Sequence, residues 1–199
     1  MKLDHRRTIL VGLAFLSICA FWQMYDSVIP KILTETFHLN ETLSGAIMAL
    51  DNILALFLLP LFGALSDRTS TKIGRRMPFI LLGTACAAVL MNLLPVLDNR
   101  YAAAPSTGKL VGLAAVLGLA MGTYRSPAVA LMPDVTPNPL RSRANAIINL
   151  MGAIGGIIYL AVAAVMYPNA KIAGLAHVNY QPLFLVVSAV MLVSVAVLF

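Results

Sequence analysis

The fold class legible in this sequence is all-α and polytopic, a membrane protein built from spanning helices. Three observations predict it. Hydrophobic residues make up 60% of the 199-residue chain and charged residues only 11%, against roughly 25% charged in a soluble globular domain. Mean hydropathy is +0.87. The charges that remain are gathered into short knots between long apolar runs, which is the pattern of loops joining membrane spans.

Taken in order, six apolar segments follow one another: about 8–29, 43–62, 77–97, 110–132, 144–167 and 183–199. At 1.5 Å per residue, each of the first five covers a hydrocarbon core of about 30 Å. The first could be read as a secretory signal, since Lys2, Arg6 and Arg7 precede it and Ser17, Cys19 and Ala20 are small. Its apolar run continues through Phe21 and Trp22 towards Ile29, too long for a signal core, which favours a retained span. The sixth stops at Val197, Leu198 and Phe199 without a basic flank, so the chain reads as truncated.

Positive charge gives the orientation. Lys2, Arg6, Arg7, Arg68, Lys72, Arg75, Arg76, Arg141 and Arg143 fall on one side and Lys31, Arg100, Lys109 and Lys171 on the other, nine against four. This places the N-terminus in the cytoplasm. On the outer side Glu35, Glu41 and Asp98 offset the few cations, and Asn40-Glu41-Thr42 spells a glycosylation sequon. The net charge of +6 lies beside apolar spans and suits anionic lipid headgroups, not nucleic acid. Cys19 and Cys86 lie inside apolar runs without metal-site spacing and read as small core residues.

The densest knot joins the second and third spans: Gly63, Ser66, Asp67, Arg68, Lys72, Gly74, Arg75, Arg76 and Pro78. Gly63 removes a side chain where one helix must approach another. Asp67 stands at a helix end, where it can pair with a basic side chain or face a neighbouring helix N-terminus. Topology alone would explain the arginines and the lysine, but positive-inside bias needs no carboxylate. This spelling, with Phe79, resembles the loop signature of the major facilitator superfamily, in the branch of sucrose carriers and glycoside, pentoside and hexuronide symporters. Pro127, Ala130, Leu131 and Asp134 are similar to that branch's P-x-x-A-L-x-x-D. The resemblance implies one six-helix half, of two inverted three-helix repeats, in a twelve-span carrier. It also implies that the loop, through Asp67, Arg75 and Arg76, latches one conformation, with Asp134 at the inner gate. A missing C-terminal half, or a second copy, would complete the carrier.

Charges inside spans cost about 2.5 to 3.5 kcal/mol on insertion scales, so such residues usually face a cavity or a partner. Asp51, with Asn52 beside it, lies near the midplane of the second span and is the leading proton-coupling candidate; a structural hydrogen bond is the competing reading. Asp26 is the second. Trp22 and Gln23 near it suit a sugar, whose ring stacks on an indole and whose hydroxyls need partners, although an interfacial aromatic anchor explains Trp22 equally well. Arg125 lies deep in the fourth span and would meet a carboxylate or the substrate. Tyr25-Asp26-Ser27 and Tyr124-Arg125-Ser126 repeat one pattern 99 residues apart, as equivalent spans of inverted repeats would.

The resemblance has departures. Sodium-coupled melibiose-type carriers place two carboxylates before the proline matching Pro60, where this chain has Ala55, Leu56, Phe57, Leu58 and Leu59. A proton is therefore the expected coupling ion, ahead of sodium. In the fifth span Gly152 and Gly156 form a small-xxx-small surface near Asn145 and Asn149, expected to pack closely, with Asn149 a cavity candidate. His5, His38 and His177 are scattered across loops, and no nucleophile set, metal cluster or phosphate loop is spelled out, so neither an enzyme nor a bound cofactor or metal is expected. The sequence thus predicts half of a proton-coupled sugar or glycoside transporter of the cell membrane. A six-span sensor or assembly partner retaining the packing motifs is the alternative.

Overall fold

The computed structural model describes residues 4–101, 112, 123 and 125–199; the side chains of Leu50, Asp51, Ala55, Tyr101, Asn169 and Ala170 fall outside that description. Helix α1 spans His5–Lys31, α2 Glu41–Arg68 and α3 Met77–Tyr101. The chain is helical again over residues 125–135, here α4. It continues in α5, Arg141–Met166, a single turn α6, Asn169–Ile172, and α7, Gln181–Leu198. Among the described residues five helices are long and apolar enough to cross a membrane. The chain is therefore an all-helical, multi-pass integral membrane protein. Most of the expected fourth span, 110–132, lies outside the described residues.

Helices α1 and α2 overrun their apolar segments, and polar caps extend their first turns. Asp4 caps α1, its carboxylate accepting from the Arg7 amide at 3.1 Å, and Asn40 caps α2 by accepting from the Leu43 amide at 2.8 Å. The sequon asparagine is thus an N-cap. Beyond Pro30, α1 passes into a π-turn, Ile32–Thr36.

Helix α1 is central. It packs most extensively on α5 and then on α7, which also lies against α3. Phe21, Met24, Ile29, Met91 and Phe184 fill this core. The α1–α5 contact is close because Gly155 lies on the Leu16 carbonyl, which a methyl group there would strike. Gly152 faces Cys19, where an added Cβ would lie 2.8 Å from the sulfur. Gly156 is more open, with only Gln23 Oε1 at 3.8 Å from such a Cβ. The close-packing pair is thus Gly152 with Gly155, not Gly152 with Gly156. Three residues apart on a helix, they present one ridge to α1, while Gly156 has turned towards its open side.

Helix α2 is peripheral. Leu56 and Phe57 are 70% and 68% exposed, which suits lipid or a further protein surface. Cys86 is also exposed, correcting its reading as a core residue: in a bilayer, an apolar run faces lipid as readily as protein. Asn92 ties α3 to α7 by donating to the Ser188 hydroxyl at 3.0 Å.

Candidate functional site

The charged loop folds into a network centred on one side chain. Arg76, just before α3, is 8% exposed. Its Nη2 donates to Asp67 Oδ1 at 2.7 Å, its Nε to Asp134 Oδ2 at 2.6 Å and its Nη1 to Ser66 Oγ at 2.9 Å. A planar guanidinium offers these donors in fixed directions, so one residue joins the ends of α2, α3 and α4. Arg75 adds a longer contact to Asp134 at 3.4 Å and is half exposed. Arg141, opening α5, donates to the Pro133 carbonyl at 2.9 Å and the Thr136 carbonyl at 3.3 Å.

The glycines make this geometry possible. A Cβ on Gly63 would stand 3.1 Å from Ser126 Oγ, and that hydroxyl reaches across from α4 to donate to the Leu59 carbonyl at 2.7 Å. Gly74 takes a φ of +102°, a conformation that side chains disfavour. It closes the turn by donating to the Thr71 carbonyl at 3.0 Å, while the Thr71 hydroxyl donates back at 2.6 Å.

Of the residues singled out in the loop, the structure brings together Asp67, Arg76 and Asp134. Asp67 pairs with Arg76, whereas Arg75 reaches only Asp134. Arg68 and Lys72 stand exposed outside the network. Sequence reasoning named Ser66 only as part of the spelling; its burial and its bond to Arg76 appear only once the helix ends converge.

A second set of residues lies on α1. In its middle the less buried positions are Cys19, Trp22, Gln23, Asp26, Ser27 and Pro30, which fall along one helical stripe. The other faces are core, so this stripe is the more open side of α1, bordered by α5 where Cys19 meets Gly152 and Gln23 approaches Gly156. Trp22 is braced edge-on by Phe21 and Tyr25, at centroid distances of 5.4 and 5.6 Å. The Arg125 guanidinium of α4 lies over its ring, 5.3 Å from the centroid. Trp22 Nε1 is buried with no hydrogen-bond acceptor among the described residues, a donor still to be satisfied. Gln23 and Asp26 are exposed.

The remaining candidates are more dispersed. Asn52 is exposed on α2, its Nδ2 donating to the Met48 carbonyl at 3.4 Å. Asn149 is exposed on α5 and donates to the Asn145 carbonyl at 2.9 Å. Asp51 lies within α2, but its side chain is outside the described residues, as is Tyr124. Asp98 and His177, read from sequence as loop charges, are instead drawn together at the far end of the bundle, His177 Nε2 lying 3.6 Å from Asp98 Oδ2.

The chain is similar to plant proteins of known name. It is 27% identical over 158 residues to Sucrose transport protein SUC3 of Arabidopsis thaliana, covering 72% of this chain and 26% of that protein. It is 32% identical over 114 residues to Sucrose transport protein SUC4 of the same plant, covering 52% of this chain and 22% of that protein. The chain thus spans about a quarter of the length of these relatives. The family model described as Major Facilitator Superfamily matches residues 11–199. With its loop network and helical bundle inside that match, the chain belongs to the Major Facilitator Superfamily.

Proposed function

We propose that this chain is the N-terminal half of a secondary transporter for a sugar or glycoside, working by alternating access and driven by a proton. The observation that carries this reading is the open stripe of α1, where Arg125 lies over Trp22 and Gln23 and Asp26 are exposed along the same stripe. An indole face stacks the apolar side of a pyranose, and the neighbouring amide, carboxylate and guanidinium satisfy hydroxyls. The names of the similar plant proteins support a sugar. The Arg76 network serves as the latch at one end of the bundle: joined helix ends hold that end shut, and their separation opens it. The excess of arginine and lysine supports a cytoplasmic position for this end, at the inner face of the cell membrane. A C-terminal six-span half, or a second copy, supplies the opposite wall.

Asp51 and Asp26 are the coupling carboxylates in this proposal. The apolar run Ala55 to Leu59 argues for a proton over sodium. The test is uptake by the full-length protein in proteoliposomes, using a panel of labelled sucrose, glycosides and hexuronides. An imposed pH gradient is expected to drive accumulation, Asp51→Asn to abolish that drive and Trp22→Ala to lower sugar affinity at least tenfold, about 1.4 kcal/mol. Absence of uptake for every sugar defeats the transport reading, and binding without uptake points to a sensor. Uptake indifferent to pH and to Asp51 defeats the coupling proposal.

A further inference from the structure

Helix α3 runs about 33 Å from Arg76 to Asp98 at 1.5 Å per residue, so the two residues mark opposite ends of the bundle. At the Asp98 end a buried charge plays no part in the proposed transport cycle. Asp98 is 0% exposed; neither carboxylate oxygen accepts a hydrogen bond of good geometry among the described residues, and the Thr36 hydroxyl is a neighbouring group that can donate to it. His177, in the segment before α7, is its ion-pairing neighbour at 3.6 Å.

The hydrogen bonds around His177 assign its proton. The Gln181 amide donates to Asn179 Oδ1 at 2.9 Å, so the Asn99 amide nitrogen, also 2.9 Å from that oxygen, is a second donor to it. Asn99 Oδ1 therefore faces His177 Nε2, at 2.8 Å, as an acceptor, and Nε2 carries a hydrogen. The other ring nitrogen, Nδ1, lies 3.5 Å from the Thr36 hydroxyl, which can donate to a neutral imidazole or accept from an imidazolium. His177 can thus gain a proton without rearranging. Tyr167 completes the cluster by donating to the Asn179 carbonyl at 2.7 Å. Thr36, Asp98, Tyr167 and Asn179 belong to the ends of four different elements, so the cluster clasps α1, α3, α5 and α7.

We propose that Asp98 and His177 share a bound proton, forming a proton-binding site separate from Asp51 and Asp26 that controls how firmly the segment before α7 is clasped to α1 and α3. An ionised carboxylate taken out of water without a partner costs several kcal/mol. One proton removes that penalty whether it makes a neutral acid or an imidazolium paired with the carboxylate, and the two forms carry the same net charge. Losing it leaves a buried anion, with Glu35 on the π-turn adding like charge beside it. The clasped state therefore holds the proton more tightly than an opened, hydrated state, and opening increases as pH rises.

The other groups facing the cluster do not take this role. Arg100, at the end of α3, is exposed. Burial first, then the charges of Glu35 and Asp98 and the neighbouring Tyr167 and Tyr159, push the Tyr180 hydroxyl up to about 12. Tyr180 thus stays neutral where histidine titrates.

The experiment is pH-difference infrared spectroscopy with hydrogen exchange on the intact protein in nanodiscs, from about pH 5 to 8, where histidine changes charge. A pH-dependent carboxyl or carboxylate signal is expected that disappears in Asp98→Asn and shifts its midpoint by about one pH unit, tenfold in proton affinity, in His177→Gln. Exchange of the 176–181 amides, corrected for intrinsic rate, is expected to accelerate about tenfold across the same midpoint in the wild type alone. If Asp98→Asn does not fold, His177→Gln and the wild-type exchange profile decide. A carboxyl signal unchanged in Asp98→Asn, a midpoint unmoved in His177→Gln, or a flat wild-type exchange profile overturns the proposal. No substrate is involved, so this outcome is distinguishable from failure of the transport reading.

Discussion

Replacing Arg76 with alanine removes three hydrogen bonds at once, to Asp67, Ser66 and Asp134. Bonds to charged groups contribute about 1.5 to 3 kcal/mol each. The Asp67 bond counts for less, because that carboxylate is 55% exposed and rehydrates. Asp134 is 28% exposed and keeps the longer Arg75 contact at 3.4 Å, so its loss is also incomplete. The net expectation is about 3 kcal/mol, at the low end of values for breaking a buried pair. For a chain of this size that lowers the melting temperature by about 6 to 12 °C, measured by intrinsic fluorescence of the purified protein in detergent. Arg76→Lys keeps the charge but cannot fork between two carboxylates, and about half the loss is expected. In a double-mutant cycle, Arg76→Ala with Asp134→Asn is expected to fall short of the sum of the single losses. Arg68→Ala, outside the network, is the control. Arg76→Ala melting together with Arg68→Ala, or a simply additive double mutant, refutes this role for Arg76.

Three further predictions concern the rest of the bundle. Gly155→Ala forces a methyl onto the Leu16 backbone carbonyl and is expected to cost about 3 kcal/mol, whereas Gly156→Ala is expected to be neutral or stabilising; thermal melting of the two variants separates them. Gly74→Ala strains a positive-φ turn and is expected to lower stability by about 1 to 2 kcal/mol, read in the same assay, with Gly74→Asn milder. The Tyr180 hydroxyl, held up to about 12 against about 10 in an unfolded chain, binds its proton more tightly when folded. Stability is therefore independent of this group below pH 10 and falls from about pH 10 to 12; tyrosinate absorbance and alkaline melting check this, and Tyr180→Phe is expected to remove that share of the slope.

Hydropathy, charge placement and short motifs made much of the molecule readable in advance. Spans 1, 2, 3, 5 and 6 fall on the helices α1, α2, α3, α5 and α7, because the cost of unpaired backbone in hydrocarbon is a local property of each apolar run. Part of the charged loop was legible for the same reason, since Gly74 closes its turn on Thr71 three residues away, whereas Gly63 is set against Ser126 of α4. Other assignments depended on what lay across the bundle. Arg75 and Arg76 are neighbours of equal charge, yet only Arg76 is buried between two carboxylates, one of them 58 residues away. Gly155 outranks Gly156 because of where α1 passes. Asp98 looked like a solvated loop charge until packing closed over it.

The sequence by itself determined a helical membrane protein, the apolar runs that become the five long helices among the described residues, the bias in its loop charges and the identity of the loop that links α2 to α3. These follow from local free energies of transfer and from backbone conformation. Only the tertiary structure decided which arginine holds Asp67 and Asp134, which face of α1 remains open for Trp22, Gln23 and Asp26, and that Asp98 meets His177. Those are partnerships between residues far apart in the chain, fixed by the angles and distances at which whole helices pack.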